Sequence, residues 1–126
     1  MARSFPPRPE HDFRITCFAW QLDNEANHRR AGFPVVPEET LIRRFWQYLS
    51  FLQAQGLTVR VIAESSEDIC PETTLRNSDL TDEGYRFAQR FGDRWSSRVY
   101  KDTGEASEAK YLIKWLNQLR ADSVGP

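Results

Sequence analysis

The stretch PEETLIRRFWQYLSFLQAQGLTVRVIA, residues 37–63, carries the clearest structural signals in the chain. Leu41, Ile42, Phe45, Leu49 and Leu52 recur at helical spacing, and Trp46, Tyr48 and Phe51 widen the stripe. Pro37 suits a first helical turn, and Glu38 and Glu39 sit where the helix dipole favours acids. Gly56 is a left-handed stop. The pattern predicts a helix over 38–55. Residues 57–63, Leu-Thr-Val-Arg-Val-Ile-Ala, follow at once and read as a buried strand.

Working upstream, residues 12–22 alternate apolar Phe13, Ile15, Cys17 and Ala19 with Arg14, Thr16, Phe18 and Trp20, which predicts a first strand. Strand, helix, glycine turn and strand make a βαβ unit over 12–63. Residues 23–32 are polar and read as a loop. Residues 33–36 lie between prolines and suit only a sheet edge or a connection.

Downstream, residues 64–79 lack periodicity and read as a long loop, a length that signals either function or an unrecognised element. A helix is predicted over 81–100, capped by Thr81, with Tyr85, Ala88, Phe91, Trp95 and Val99 on its apolar face. A third helix to residue 119 starts at Ser107 and presents Ala109, Leu112, Ile113, Leu116 and Leu119. The short turn between them implies an antiparallel hairpin over 80–120. Residues 1–11 form a flexible proline-rich arm and 121–126 a frayed tail. The expected fold is a single α+β domain (or small α/β), 1–126. Two strands alone are a marginal sheet, so an extra edge strand or pairing across a homodimer is expected.

The 126 residues carry 17 Lys and Arg against 18 Asp and Glu, a net charge of -1 that excludes a generic electrostatic binder of nucleic acid. No apolar run is long enough for a membrane span, and the start lacks the pattern of a secretory signal, so a cytoplasmic protein with free Cys17 and Cys70 is expected. Only His11 and His28 are present, no CxxC pair occurs, and no phosphate-binding or nucleophile motif is found, so neither metal nor cofactor is expected.

Charge is unevenly placed. Residues 64–83 hold seven acids, Glu64, Glu67, Asp68, Glu72, Asp79, Asp82 and Glu83, against the single base Arg76. Such a surface suits a basic protein partner. Arg86, Arg90, Arg94 and Arg98 repeat every fourth residue and form a basic helical ridge, the feature of an alternative nucleic-acid regulator. Arg14, Phe18 and Trp20 suit a base-stacking platform or, more simply, the covered face of a strand. Glu64, Glu67 and Asp68 follow a predicted strand end, where a small enzyme would gather carboxylates for magnesium or acid–base work.

Leu80-Thr81-Asp82-Glu83-Gly84-Tyr85, then Arg94-Trp95, then a charged turn with Gly104 and a leucine-rich helix, resembles the C-terminal helical hairpin of small bacterial toxin-immunity-type proteins. The resemblance covers about a third of the chain and brings no catalytic residues with it. It implies a small cytoplasmic protein that occludes a toxin through a shaped, acidic surface. Residues and resemblance together favour a non-enzymatic protein-binding module over an enzyme, with the seven acids of 64–83 as the expected partner surface.

Overall fold

A computed structural model of the chain describes residues 8–101 and 105–123. It shows a small α+β domain with strand β1 (Arg14–Cys17), helix α1 (Phe18–Arg30), helix α2 (Glu38–Ala54), strand β2 (Thr74–Arg76), helix α3 (Asp82–Lys101) and helix α4 (Glu105–Ser123). Short 3-10 turns occupy Ser66–Asp68 and Asn77–Asp79.

The helices predicted at 38–55, 81–100 and 107–119 are present as α2, α3 and α4. Gly56, at φ 71°, ends α2, with Gly56 N–H bonding Gln53 O at 3.2 Å and Leu57 N–H bonding Leu52 O at 2.9 Å. This pair of bonds satisfies carbonyls that a helix end leaves orphaned. Thr81 caps α3 as expected, its Oγ1 accepting from Gly84 N–H at 3.0 Å. The last two helices form an antiparallel hairpin. Trp115 of α4 stacks on Phe91 of α3 at 5.5 Å, and Arg120 near the end of α4 pairs with Glu83 near the start of α3 at 3.1 Å.

The first strand is shorter than expected. It stops at Cys17, and residues 18–30, read as strand end and loop, form α1. Gly32, at φ 91°, closes α1 as Gly56 closes α2: Gly32 N–H bonds Arg29 O at 3.2 Å and Phe33 N–H bonds His28 O at 3.0 Å. His28, Arg29 and Arg30 occupy the last turn, where the helix dipole favours cations.

The βαβ unit does not form. Residues 57–63 make one isolated bridge, Thr58 to Leu80, and Val59 and Val61 are 63% and 62% exposed. The partner of β1 is β2, inside the segment read as loop, in an antiparallel pair with Arg14 opposite Arg76 and Cys17 opposite Thr74. Three backbone donors of 59–63 are taken elsewhere: Val59 N–H by Asp79 O at 2.8 Å, and Ile62 and Ala63 N–H by Gln53 Oε1 at 2.7 and 3.3 Å. Residues 33–36 do not join the sheet.

The core lies between α2, α3 and α4, with Phe18, Leu52, Leu57, Phe87, Phe91 and Leu112 fully buried. Phe87 touches Phe51 and Phe91 at ring distances of 5.6 and 5.4 Å, and Phe18 meets Phe45 edge-on at 5.6 Å. Ile113, expected on the buried face of α4, is half exposed, and Trp115 takes its place. Both cysteines are free, Cys17 buried and Cys70 exposed.

Residues 8–11, expected to be flexible, are fixed. Buried Asn77 donates to Pro9 O at 3.1 Å and His11 O at 3.2 Å, and its own N–H bonds Phe13 O at 2.9 Å. The Arg8 guanidinium donates to Asn77 Oδ1 and Asn77 O, to Leu80 O at 2.8 Å and to Asp82 Oδ1 at 2.8 Å. Asp12 accepts from Arg76 Nε at 2.7 Å and Ser78 N–H at 3.0 Å. The Arg76 hydrogen bond, helped by that from Ser78, holds the Asp12 carboxyl down at about 2.

Two measurements test these contacts. A Cβ placed on Gly84 lies 2.1 Å from Leu57 O, so α3 must move off residue 57 to accept it. Helix propensity alone predicts that Gly84→Ala stabilises by up to about 1 kcal/mol. Overpacking against a backbone carbonyl predicts a loss of at least about 2 kcal/mol in urea unfolding instead. Asp12 has a folded pKa below its unfolded value, so its contribution is present above about pH 4 and is lost as pH falls through about 2. Asp12→Asn is therefore less stable than the parent at pH 7, with the gap closing between pH 4 and pH 2. An equal gap at both ends of that range contradicts the assignment.

Candidate functional site

The acidic segment divides into acids that build the fold and acids that face water. Asp79 is 4% exposed. Its Oδ1 lies 2.6 Å from Arg60 Nε, and its Oδ2 accepts from Arg76 N–H at 2.8 Å. It is a structural residue, because a carboxylate removed from water must be paired and hydrogen-bonded, and this corrects its expected place on a partner surface. Asp82 is exposed and already engaged by Arg8 at 2.8 Å. Glu83 is engaged by Arg120 at 3.1 Å. Asp68 turns back on its own loop, Oδ2 accepting from Glu64 N–H at 2.8 Å and Ser65 N–H at 3.2 Å.

Glu64, Glu67 and Glu72 remain. All three are exposed, on a loop fixed at several points. Gln53 of α2 reaches out to accept from Ile62 and Ala63 N–H and to donate to Ala63 O at 2.9 Å. The Asp68 bonds shape the turn that follows. Thr73 Oγ1 accepts from Cys70 N–H at 2.9 Å, and Thr73 N–H bonds Cys70 O at 2.9 Å. The glutamates thus extend from a braced segment.

That segment begins with an apolar edge. Arg60 turns to Asp79, while its neighbours Val59 and Val61 face water. The N–H groups of Arg60 and Val61 bond to no described residue. Two exposed valines, open backbone donors and three glutamates lie within residues 59–72. Net charge singled out the glutamates. The valines were hidden, because an apolar alternating run reads as a buried strand.

The other sequence candidates are distributed differently. Arg90 is half-buried, paired with Asp122 of α4 at 2.6 Å, and sits 5.1 Å over the Phe91 ring. Arg94 lies 5.3 Å from the same ring, so two members of the ridge serve the hairpin. Arg86 is exposed and also has a partner in the fold. The side chain of Arg98 lies outside the described residues. Of the stacking platform, Phe18 is core, whereas Trp20 is 41% exposed with the Arg14 guanidinium 6.0 Å from its ring. Glu64, Glu67 and Asp68 do not converge. Among the described residues, no three His, Cys, Asp or Glu side chains gather where a metal would sit, and no helix is long and apolar enough to cross a membrane.

Compared with protein-family models, curated protein sequences and solved structures, the chain matches none.

Proposed function

We propose that this protein is a non-enzymatic binding module of the immunity or inhibitor kind, which covers a basic partner protein with the edge formed by residues 59–72. The observation that carries this reading is the exposure of Val59 and Val61 beside Glu64, Glu67 and Glu72 on a segment pinned from below by Gln53, Asp68 and Asp79.

A pinned segment loses little conformational entropy when a partner docks, so more of the contact energy appears as affinity. Small apolar groups ringed by charge match the energetic anatomy of interfaces, in which a dry centre is surrounded by polar contacts. The glutamates steer a basic surface toward the edge and set its orientation. The open donors of Arg60 and Val61 suit an added extended segment of the partner. The arginine ridge gives less support to nucleic acid, since Arg90 already pairs with Asp122.

The test is positional. A photo-crosslinking residue is placed at Val61 or, as a control, at exposed Ile113 of α4, in the full chain expressed in its own cells. One basic protein is expected to crosslink from position 61 and not from 113. The double variant Glu67→Lys, Glu72→Lys should lose that product by about tenfold or more, because like charges then face each other. Its far-UV circular dichroism should match the parent's, both residues being exposed. Equal yields from 61 and 113, an unchanged yield in the charge-reversed variant, or a product abolished by nuclease would each overturn the reading.

A further inference from the structure

We infer that the connection between α1 and α2, Phe33-Pro34-Val35-Val36-Pro37, is a docking segment for a partner domain that reads polyproline II helix through a groove of tryptophan and tyrosine side chains. It shares no residue with the 59–72 edge.

Covalent geometry sets the shape. The rings of Pro34 and Pro37 fix φ, and each proline steers the residue before it, Phe33 and Val36, out of the helical region. Pro37 itself stands at φ -60° and ψ 147°, within the polyproline II region. With three residues per turn, Pro34 and Pro37 fall on one edge of such a helix, Phe33 and Val36 on a second and Val35 on the third. The second edge is the attached one. Val36 packs on the core and its N–H bonds Glu25 Oε1 at 2.8 Å, and the Phe33 ring lies 5.3 Å from that of His28. The proline edge and Val35 face water. From Arg29 to Glu39 every residue but Val36 is exposed, Phe33 at 59% and Val35 at 60%.

Hydrogen bonding defines the partner. Proline has no N–H, Phe33 N–H bonds His28 O at 3.0 Å and Val36 N–H bonds Glu25, so Val35 carries the one backbone donor of 33–37 with no partner among the described residues. The carbonyls of Phe33, Pro34, Val35 and Val36 accept from no described residue. A run of acceptors with so few donors cannot extend a β-ladder. It needs a surface that is apolar, to cover Pro34, Val35 and Pro37, and that also donates. Tryptophan and tyrosine combine a flat apolar body with an N–H or O–H. Aromatic grooves bind polyproline II segments, whose preformed geometry loses little entropy on docking. Charge sets the direction. Arg30, exposed and without a partner among the described residues, precedes the segment, and exposed Glu38 and Glu39 follow it. The groove therefore carries an acidic residue at the end that receives Arg30.

The test uses the full chain in its own cells, with a photo-crosslinking residue at Val35 or, as a control, at exposed Ile113. A product is expected from position 35 and not from 113. The decisive step needs no further variant: crosslinking is repeated in lysate with a free polyproline peptide, itself a polyproline II helix, or with a flexible Gly-Ser peptide of equal length. The first should compete the product away and the second should not. Pro34→Ala, at an exposed site, should lower the yield about tenfold, and Arg30→Glu about fivefold, each with the far-UV circular dichroism of the parent. No product from position 35, an equal yield from 113, a product that polyproline leaves intact, or an unchanged yield in Pro34→Ala would each overturn the docking segment. An unchanged yield in Arg30→Glu overturns the acidic end of the groove.

Discussion

The arrangement of the N-terminal half of this domain depends on one buried carboxylate. Asp79 receives Arg76 N–H and the Arg60 guanidinium on its two oxygens, and its backbone carbonyl receives Val59 N–H. Two residues earlier, the buried Asn77 side chain binds Pro9, His11 and Arg8. Residues 77–80 therefore tie together the N-terminal arm, the segment after α2, strand β2 and the entrance to α3. A charge at 4% exposure is tolerated only when its oxygens are occupied, and that requirement fixes where Arg60 and Arg76 must lie. With the Arg60 guanidinium held by Asp79, Val59 and Val61 on the opposite side of the backbone face water. The apolar edge offered to a partner is thus a consequence of satisfying Asp79.

The helices were legible where apolar periodicity and punctuation agreed. In α2 the stripe from Leu41 to Leu52 ends at Gly56, and in α3 the face from Tyr85 to Trp95 starts at Thr81. Helix α1 escaped because only Phe18 and Glu25 are buried along its length, so there is little apolar stripe to detect. Its signature was at its end, in His28-Arg29-Arg30 followed by Gly32, the same punctuation that closes α2. The false strand at 57–63 has the opposite cause. β-Branched residues at period two describe a surface able to pair, but pairing needs a free neighbour. β1 had already found β2 some sixty residues along the chain, and local pattern says nothing about that choice.

The candidate surface was legible as charge and illegible as partnership. Seven acids stood out in 64–83, but which are free depends on bases far away in sequence: Arg8 for Asp82, Arg120 for Glu83, Arg60 for Asp79. Each distant base subtracts an acid from the surface, and Asp68 turns back on the N–H groups of Glu64 and Ser65, leaving Glu64, Glu67 and Glu72. The same logic divides the arginine ridge, in which Arg90 lies against Asp122 once the hairpin closes. Near-neutral net charge signalled that such pairing would occur, though not between which residues.

Helix α2 gives the 59–72 edge part of its rigidity. Leu41, Phe45, Tyr48, Leu49 and Leu52 lock its inner face into the core. From that fixed axis Arg44, Phe45 and Tyr48 line a cleft against β1, α1 and α3, and Gln53, about one and a half to two and a half turns further on, holds the backbone of Ile62 and Ala63. Side chains at 44, 45 and 48 share one flank of the helix at i, i+1 and i+4 spacing, while Gln53 extends from its last turn toward the acidic loop. A helix buried along one face offers its remaining flanks at angles set by 3.6 residues per turn. Core packing of α2 thus sets where the 62–63 backbone is held, and the Asp79 and Asp68 contacts set the direction of the chain on either side of it.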